Sequence, residues 1–141
     1  MSMPITEHFS LGEFESHDSV PYPAEWISPR LVPLCELLEQ IRYGCGDKPV
    51  EVVSGFRTLE HNTAVGGEEN SYHMKGMAAD IRIADVPAAL VHMTIMRLYR
   101  AGKLPMLGGL GKYLASNFCH IDIRGFGANE RLAQWCGKGL I

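Results

Sequence analysis

The sequence predicts an α+β fold, with one small, mainly antiparallel sheet and flanking helices. Segments with apolar residues at helical spacing and segments with strand-like composition follow each other without a regular βαβ alternation, which favours this class. The 141 residues are 46% hydrophobic and 21% charged, which is enough for one hydrophobic core and close to an average globular domain. Since the sequence has no internal repeats or low-complexity linkers, we expect a single domain over residues 1–141, with its core at about 9–137.

Each predicted helix begins at a residue whose side chain can accept a hydrogen bond from the free backbone N–H groups of the first turn. These N-cap residues are Ser10, Ser28, Thr58 and Asp85. Glu13 completes a capping box with Ser10, and Pro29 occupies the first helical position after Ser28. The expected helices span about 11–14, 29 to Gly44 or Gly46, 59–64 and 86–101.

Four strands are expected, and the last has the clearest pattern. They cover residues 49–53, 76–83, about 108–114 and about 118–123, with a loop at 15–27 and a short tail containing Trp135. Side chains of the last strand alternate between its two faces, so His120 and Asp122 share one face and three apolar side chains share the other. The apolar face can pack on the core while the polar pair faces a cleft.

Charge and composition exclude several classes of protein. The net charge of -3 argues against a general nucleic-acid binder, which needs a basic surface to displace counterions from phosphates. No stretch reaches the roughly 18 apolar residues of a membrane span, and the N-terminus lacks the pattern of a secretory signal. We therefore expect synthesis in the cytoplasm. The four cysteines are too few and too scattered for a disulfide framework and are expected to be reduced.

His73, Asp80 and His120 form the candidate metal centre. His73 falls on a loop, Asp80 lies seven residues later in the following strand, and His120 lies in the last strand. If these two strands are neighbours, the three side chains can converge on one ion. Two imidazoles and one carboxylate leave a coordination position of zinc open, as in catalytic sites. Zinc brings the pKa of a bound water to about 7 and polarises a carbonyl, which suits amide hydrolysis.

The spacing alone leaves other interpretations open. A histidine seven residues before an aspartate is often a surface pair, and His120 could be a half-buried histidine with ordinary hydrogen bonds. His61, Glu68 and Glu69 could form a different metal set with His73, although the double-glycine turn between them makes convergence difficult.

The sequence around the candidate ligands forms two longer motifs. The first comprises Ser-Gly-Phe-Arg-Thr at 54–58, Glu-His-Asn at 60–62, Val-Gly-Gly at 65–67, Asn-Ser-Tyr-His at 70–73, Gly76, Ala78 and Asp-Ile at 80–81. The second comprises Gly-Gly-Leu-Gly at 108–111, Tyr113, Asn-Phe-Cys-His-Ile-Asp at 117–122 and Arg-Gly at 124–125. Together they resemble the M15 zinc peptidases, the family of D-Ala-D-Ala carboxypeptidases and peptidoglycan endopeptidases, over roughly residues 9–137. The resemblance implies the single-domain fold shared by hedgehog proteins and D,D-peptidases.

The resemblance also implies roles for individual residues. His73, Asp80 and His120 fall on the positions of the ligands to one zinc ion. Arg57 would lie beside the metal, where its guanidinium can bind a substrate carbonyl or carboxylate and stabilise the oxyanion. In the alternative interpretation, Arg57 merely pairs with a carboxylate at a loop.

One position departs from the pattern of several branches of the family, which place an acidic residue three positions before the last ligand as general base. Asn117 stands there instead and can donate a hydrogen bond to substrate. Asp122, on the same face as His120, is the nearest substitute base. It could equally be an acceptor that orients a histidine ligand.

Four further residues are assigned around this site. Ser71 is expected to brace the histidine loop, and with Tyr72 and Tyr113 to line the substrate cleft, although tyrosines are more often core residues. Gly76 most simply allows the turn between the ligand loop and the strand.

The sequence therefore predicts a monomeric zinc peptidase of peptidoglycan peptides, acting as a D,D-carboxypeptidase or an endopeptidase. Without a secretory signal, it fits a lysis enzyme of a bacteriophage or prophage, or a phage particle component. Two alternatives remain. One is a zinc-containing module that binds wall peptides without cleaving them, and the other is a zinc hydrolase of another small peptide or amide.

Overall fold

The structure, a computed structural model, describes residues 2–125 and 131–137, and a five-stranded sheet lies at its centre. The strands are β1 (Val50–Ser54), β2 (Ala78–Ile83), β3 (Gly109–Tyr113), β4 (Phe118–Asp122) and β5 (Ala133–Cys136), arranged in the order β1-β2-β4-β3-β5. All neighbours are antiparallel except β3 and β5, which are parallel. The prediction of an α+β fold with a mainly antiparallel sheet is confirmed.

In the described part of the chain, three α-helices flank the sheet. They are α1 (Val32–Gly44), α2 (Leu59–Ala64) and α3 (Ala88–Arg100), supplemented by 3-10 turns at Leu11–Phe14, Ala24–Trp26 and Tyr72–Lys75 and a π-helical turn at Ile27–Leu31. Helix α3 packs on β2, β3 and β4, and α1 packs on α3. Their buried side chains join Ile81 of β2 and Ile121 of β4 in one hydrophobic core. The core thus covers one face of the sheet, and His120 and Asp122 lie on the other face.

Two predicted helix starts are confirmed. Ser10 and Glu13 form the capping box, and the Thr58 side chain accepts a hydrogen bond from the backbone N–H of His61. Helix α2 ends at Ala64, and α1 ends at Gly44, as expected. These helix starts could be predicted from local sequence because each capping residue lies within four residues of its hydrogen-bond partner.

The starts predicted at Ser28 and Asp85 are wrong. Ser28 lies inside the π-helical turn Ile27–Leu31, which begins one residue earlier and runs directly into α1. Helix α3 begins at Ala88 because Pro87 disfavours helical geometry at the residue before it. Asp85 adopts a left-handed backbone conformation, with φ of 62°.

Strand β5 was not predicted, because the sequence pattern placed Trp135 in a tail.

No helix in the described part of the chain combines the length and apolar character that a membrane crossing requires. Cys35, Cys45, Cys119 and Cys136 are all free thiols.

Candidate metal centre

Strands β2 and β4 bring two of the three predicted ligands together. In their antiparallel pairing Asp80 lies directly opposite His120. The Oδ1 atom of Asp80 is 3.2 Å from Nδ1 of His120 and 3.2 Å from Nε2 of His73. All three side chains are buried. The predicted metal site depended on these two strands being neighbours, and the structure confirms that they are.

His73 reaches this cluster from the 3-10 turn that precedes β2. The Ser71 hydroxyl caps the turn by accepting the backbone N–H of His73, at 3.1 Å. The Nδ1 atom of His73 lies 2.8 Å from the carbonyl oxygen of Gly55, which leaves Nε2 facing Asp80. Gly76 ends the turn with φ of 67°, a conformation that favours glycine, and the chain then enters β2.

His120 has a different carboxylate at each ring nitrogen. Its Nε2 atom lies 2.7 Å from Oδ2 of Asp122, on the side of the ring away from Asp80. Asp122 is completely buried and also accepts hydrogen bonds from the backbone N–H, Nε and Nη2 of Arg124. Asp122 therefore fixes the orientation of the imidazole and directs Nδ1 toward the cluster.

Arg57 lies beside Asp80 and is held on three sides. Its Nη2 donates to Oδ2 of Asp80 at 3.2 Å, its Nε to the Ser54 hydroxyl at 3.1 Å, and its Nη1 to Oδ1 of Asn62 at 3.3 Å. The side chain of Asn62 is itself anchored on the carbonyl of Glu68. This network holds the guanidinium next to the oxygen of Asp80 that does not face the histidines.

The electrostatics of the cluster favour an ionised Asp80 beside a neutral His73. Burial alone would raise the pKa of Asp80, but His73 and His120 hold it well below its usual value. Burial lowers the pKa of His73, against the opposing effect of Asp80. For His120 burial also acts downward, but the hydrogen bonds to Asp122 and Asp80 raise its pKa overall.

These three side chains fit a divalent metal ion. One ligand atom from each lies within 4.8 Å of the others. Tetrahedral zinc with bonds of about 2.0–2.1 Å would separate its ligand atoms by roughly 3.3 Å, close to the two distances of 3.2 Å to Asp80. The donor set is two imidazoles and one carboxylate, and Asp122 supplies the outer acceptor that metal-bound histidines commonly have. Among the described residues, His61, Glu68 and Glu69 do not form a second set of this kind.

An aromatic wall next to His120 consists of three side chains, those of Trp135, Tyr113 and Phe118. Trp135 of β5 lies with its ring centroid 5.0 Å from that of His120, and its Nε1 donates to the Tyr113 hydroxyl at 2.9 Å. The Tyr113 ring stacks on Phe118 at 4.4 Å. The guanidinium of Arg124 lies 5.1 Å from the centroid of Trp135. The wall thus joins β3, β4 and β5 on the face that carries the ligands.

The other residues predicted for the substrate site are differently placed. Tyr72 lies between two cations: the Arg124 guanidinium is 4.4 Å and the Lys75 ammonium 4.5 Å from its ring centroid. Asn117 is not brought to the cluster: its Oδ1 accepts the backbone N–H of Ala88 and so caps α3. Its left-handed backbone, with φ of 53°, belongs to the turn between β3 and β4.

Sequence reasoning missed the contribution of Trp135, although a signal for it was present. The run Gly-Gly-Leu-Gly at 108–111 removes side chains from the site face of β3. A Cβ atom at Gly109 would collide with the Asp122 carboxylate, and one at Gly111 would lie 2.5 Å from Nε1 of Trp135. Such spacing indicates that large side chains from neighbouring strands cross over β3.

The α+β fold with a buried His2Asp cluster defines this chain as a domain built around a candidate metal centre, and comparison with known proteins gives its family. Residues 8–122 match the model of peptidase M15. This match covers most of the chain, which therefore belongs to the M15 peptidase family.

Individual relatives are similar over shorter segments. The chain is 36% identical over 88 residues to the probable peptidoglycan L,D-endopeptidase MepK of Haemophilus influenzae, which covers 59% of this chain and 44% of that protein. It is 34% identical over 80 residues to the peptidoglycan L,D-endopeptidase MepK of Escherichia coli, covering 53% and 40%. It is 50% identical over 44 residues to the zinc D-Ala-D-Ala carboxypeptidase of Streptomyces albus G, covering 31% and 17%. The matches thus span less than half the length of these curated relatives.

Proposed function

We propose that this protein is a zinc-dependent peptidase that hydrolyses amide bonds in the peptide part of bacterial peptidoglycan. The convergence of His73, Asp80 and His120 in one buried cluster carries the proposal. Membership of the M15 family and the names of the relatives supply the substrate class. One ion is proposed, held by these three side chains.

In this proposal, the bound zinc supplies Lewis acidity and lowers the pKa of a coordinated water. The chain supplies orientation and charge. Arg57 holds the second oxygen of Asp80, and its remaining N–H groups are available to the oxygen of a substrate carbonyl. Because Arg57 is only slightly exposed, its interactions with substrate would be little screened by water.

Asp122 acts through His120 rather than on water. Two features support this assignment over a role as general base. Asp122 is completely buried, and its oxygens are occupied by His120 and Arg124. Burial alone would raise the pKa of Asp122, but the contacts with His120 and Arg124 lower it to about 2 and so keep the carboxylate ionised. Asp122 is then the acceptor that fixes which nitrogen of His120 faces the metal.

Tyr72 and Tyr113 are proposed to contact the peptide. Both are half-buried side chains at the edge of the cluster, and each presents an aromatic face together with a hydroxyl. Ser71 acts on the position of His73 through its hydrogen bond to the backbone. A contact between Asn117 and substrate stays a prediction from sequence, since its side-chain oxygen is used by α3.

The bond that is cut distinguishes the possible activities. An L,D-endopeptidase cuts a cross-link between an L- and a D-centre, whereas a D,D-carboxypeptidase removes a terminal D-Ala. The test is incubation of zinc-loaded protein with purified muropeptides, both monomeric and cross-linked, followed by mass spectrometry. Monomeric stems released from dimers would assign an endopeptidase, and loss of terminal D-Ala would assign a carboxypeptidase.

The same experiment tests the two alternatives. Binding of muropeptides at high zinc occupancy without any product would contradict the peptidase and favour a binding module. Cleavage of unrelated small peptides in preference to muropeptides would favour another amide hydrolase. A role in phage or prophage lysis, or in a phage particle, stays a proposal, and the neighbouring genes of the complete reading frame would test it.

A further inference from the structure

Tyr113 lies on the same face of the sheet as the metal cluster. In the pairing of β3 with β4, Gly111 lies opposite His120 and Tyr113 opposite Phe118. Residues two apart in a strand point to the same face, so Tyr113 and His120 share a face. The stacking of Tyr113 on Phe118 at 4.4 Å, with 9° between the rings, fixes the plane of the phenol.

Trp135 reaches this face from the edge of the sheet. It pairs with Gly111, and its indole lies over the position where a side chain of residue 111 would stand. A Cβ atom at Gly137 would likewise collide with the ring of Tyr113. Two glycines therefore leave the space that the indole and the phenol occupy. Within that space, Nε1 of Trp135 lies 2.9 Å from the Tyr113 hydroxyl oxygen.

The chemistry of the two groups determines the direction of this hydrogen bond. Indole Nε1–H is a donor only, whereas a phenol oxygen carries one proton and two lone pairs. Trp135 must therefore donate, and the proton of Tyr113 must point elsewhere. No described residue accepts it. Arg57, which is close enough to interact electrostatically with Tyr113, has only donors.

We propose that the Tyr113 hydroxyl donates a hydrogen bond to a substrate carbonyl oxygen at the metal centre, and that Trp135 is the positioning residue that aims this donor. This inference rests on the proposed peptidase function and adds a residue to it. A donor held in place before the reaction stabilises the negative charge that develops on the carbonyl oxygen. Three of the five N–H groups of Arg57 are used within the protein, so the Tyr113 hydroxyl adds a further donor to the two that remain.

Kinetics of three variants test the proposal: Tyr113→Phe, Trp135→Phe and the double variant. Removal of one such donor typically lowers kcat by about 100-fold or more, and we expect this of Tyr113→Phe, with little change in KM. Trp135→Phe keeps an aromatic ring but loses the N–H, and we expect a smaller loss in kcat. Because Trp135 acts through Tyr113, Trp135→Phe should cause no further loss when Tyr113 is already Phe.

Two kinetic results would overturn the proposal. One is an unchanged kcat in Tyr113→Phe. The other is a loss from Trp135→Phe that is equally large with and without the Tyr113 hydroxyl, since Trp135 would then act independently. Trp26→Phe is the matched control, because Trp26 is the other tryptophan of the sequence, is also half-buried, and packs on Tyr22 and Phe56.

A spectroscopic measurement separates this inference from the peptidase function. The two tryptophans give two indole N–H signals in a ¹⁵N-correlated NMR spectrum. Tyr113→Phe should shift the Trp135 signal toward the position of a free indole and leave Trp26 unchanged. Adding a muropeptide should shift the Trp135 signal in the wild type, and this ligand-induced shift should be smaller in Tyr113→Phe. A Trp135 signal that is unaltered in Tyr113→Phe and that responds equally to muropeptide in both proteins would overturn the inference even if the wild type cleaves peptidoglycan. Absence of cleavage with these shifts present would instead overturn the peptidase function.

Discussion

The Nε2 atom of His120 lies 2.7 Å from Oδ2 of Asp122, while Nδ1 of the same ring faces Asp80 at 3.2 Å. The imidazole is thus held between a buried outer carboxylate and the carboxylate of the cluster. Asp122 therefore acts by holding a metal ligand in place. Loss of Asp122 should weaken zinc binding, whereas loss of a general base should not.

Asp122→Asn is expected to weaken zinc binding by about 10- to 100-fold, the usual effect of removing an outer acceptor from a histidine ligand. The asparagine can still accept one hydrogen bond, so the fold should persist. Zinc affinity measured by competition with a chromophoric chelator would show the loss. Saturating zinc should then restore most of the peptidase activity. An inactive variant with unchanged zinc affinity would instead identify Asp122 as the general base.

Zinc should stabilise the folded protein. A ligand present at about 1,000 times its dissociation constant adds roughly 4 kcal/mol to the free energy of unfolding, which corresponds to about 14 °C in Tm for a chain of this size. Thermal unfolding with zinc and with a chelator measures the difference. His120→Ala should remove the zinc-dependent shift. A wild-type Tm that is independent of zinc would contradict the assignment of the ligands.

Arg57→Lys should lower kcat/KM by about 100-fold while zinc remains bound. Lysine keeps the positive charge but cannot contact Ser54, Asn62 and Asp80 at once, so the charge is no longer fixed beside the reacting carbonyl. Steady-state kinetics with a soluble muropeptide, together with the zinc content of the variant, provides the measurement. Full activity in Arg57→Lys would reduce Arg57 to a structural partner of Asp80.

Gly109→Ala should disturb the metal centre from a neighbouring strand. The added methyl group would collide with the carboxylate of Asp122, whose displacement releases His120. We expect a lower Tm and weaker zinc binding. Gly66→Ala is the control, because Gly66 has a positive φ but no atom within 4 Å of an added Cβ. It should cost only about 1–2 kcal/mol of backbone strain and leave zinc affinity unchanged. Equal zinc affinity in both variants would contradict the role of Gly109.

The clustering of the three candidate ligands could be predicted from sequence, partly by local rules and partly by the family resemblance. Alternation along one strand placed His120 and Asp122 on a polar face, and the resemblance to M15 peptidases supplied the link to Asp80 and His73. Arg57 was similarly placed beside the metal ligands by that resemblance. The structure supports the resulting site through the pairing of Asp80 with His120.

The parts that sequence reasoning did not reach depend on contacts between distant residues. Trp135 meets Tyr113 across a parallel pairing of β5 with β3, which no local pattern encodes. Asn117 caps α3 from a turn 29 residues away, in place of the nearby Asp85 that the helix start had suggested. In both cases a side chain from a distant part of the chain makes the contact, and local sequence patterns do not indicate it.

The most direct test of the account is digestion of purified sacculi by zinc-loaded protein, by metal-free protein and by His120→Ala, with released peptides identified by mass spectrometry. We predict peptide fragments from the zinc-loaded protein alone and their return when zinc is added back to the metal-free protein. Release of the same fragments by well-folded His120→Ala, or none from fully zinc-loaded wild type on several wall types, would contradict the account.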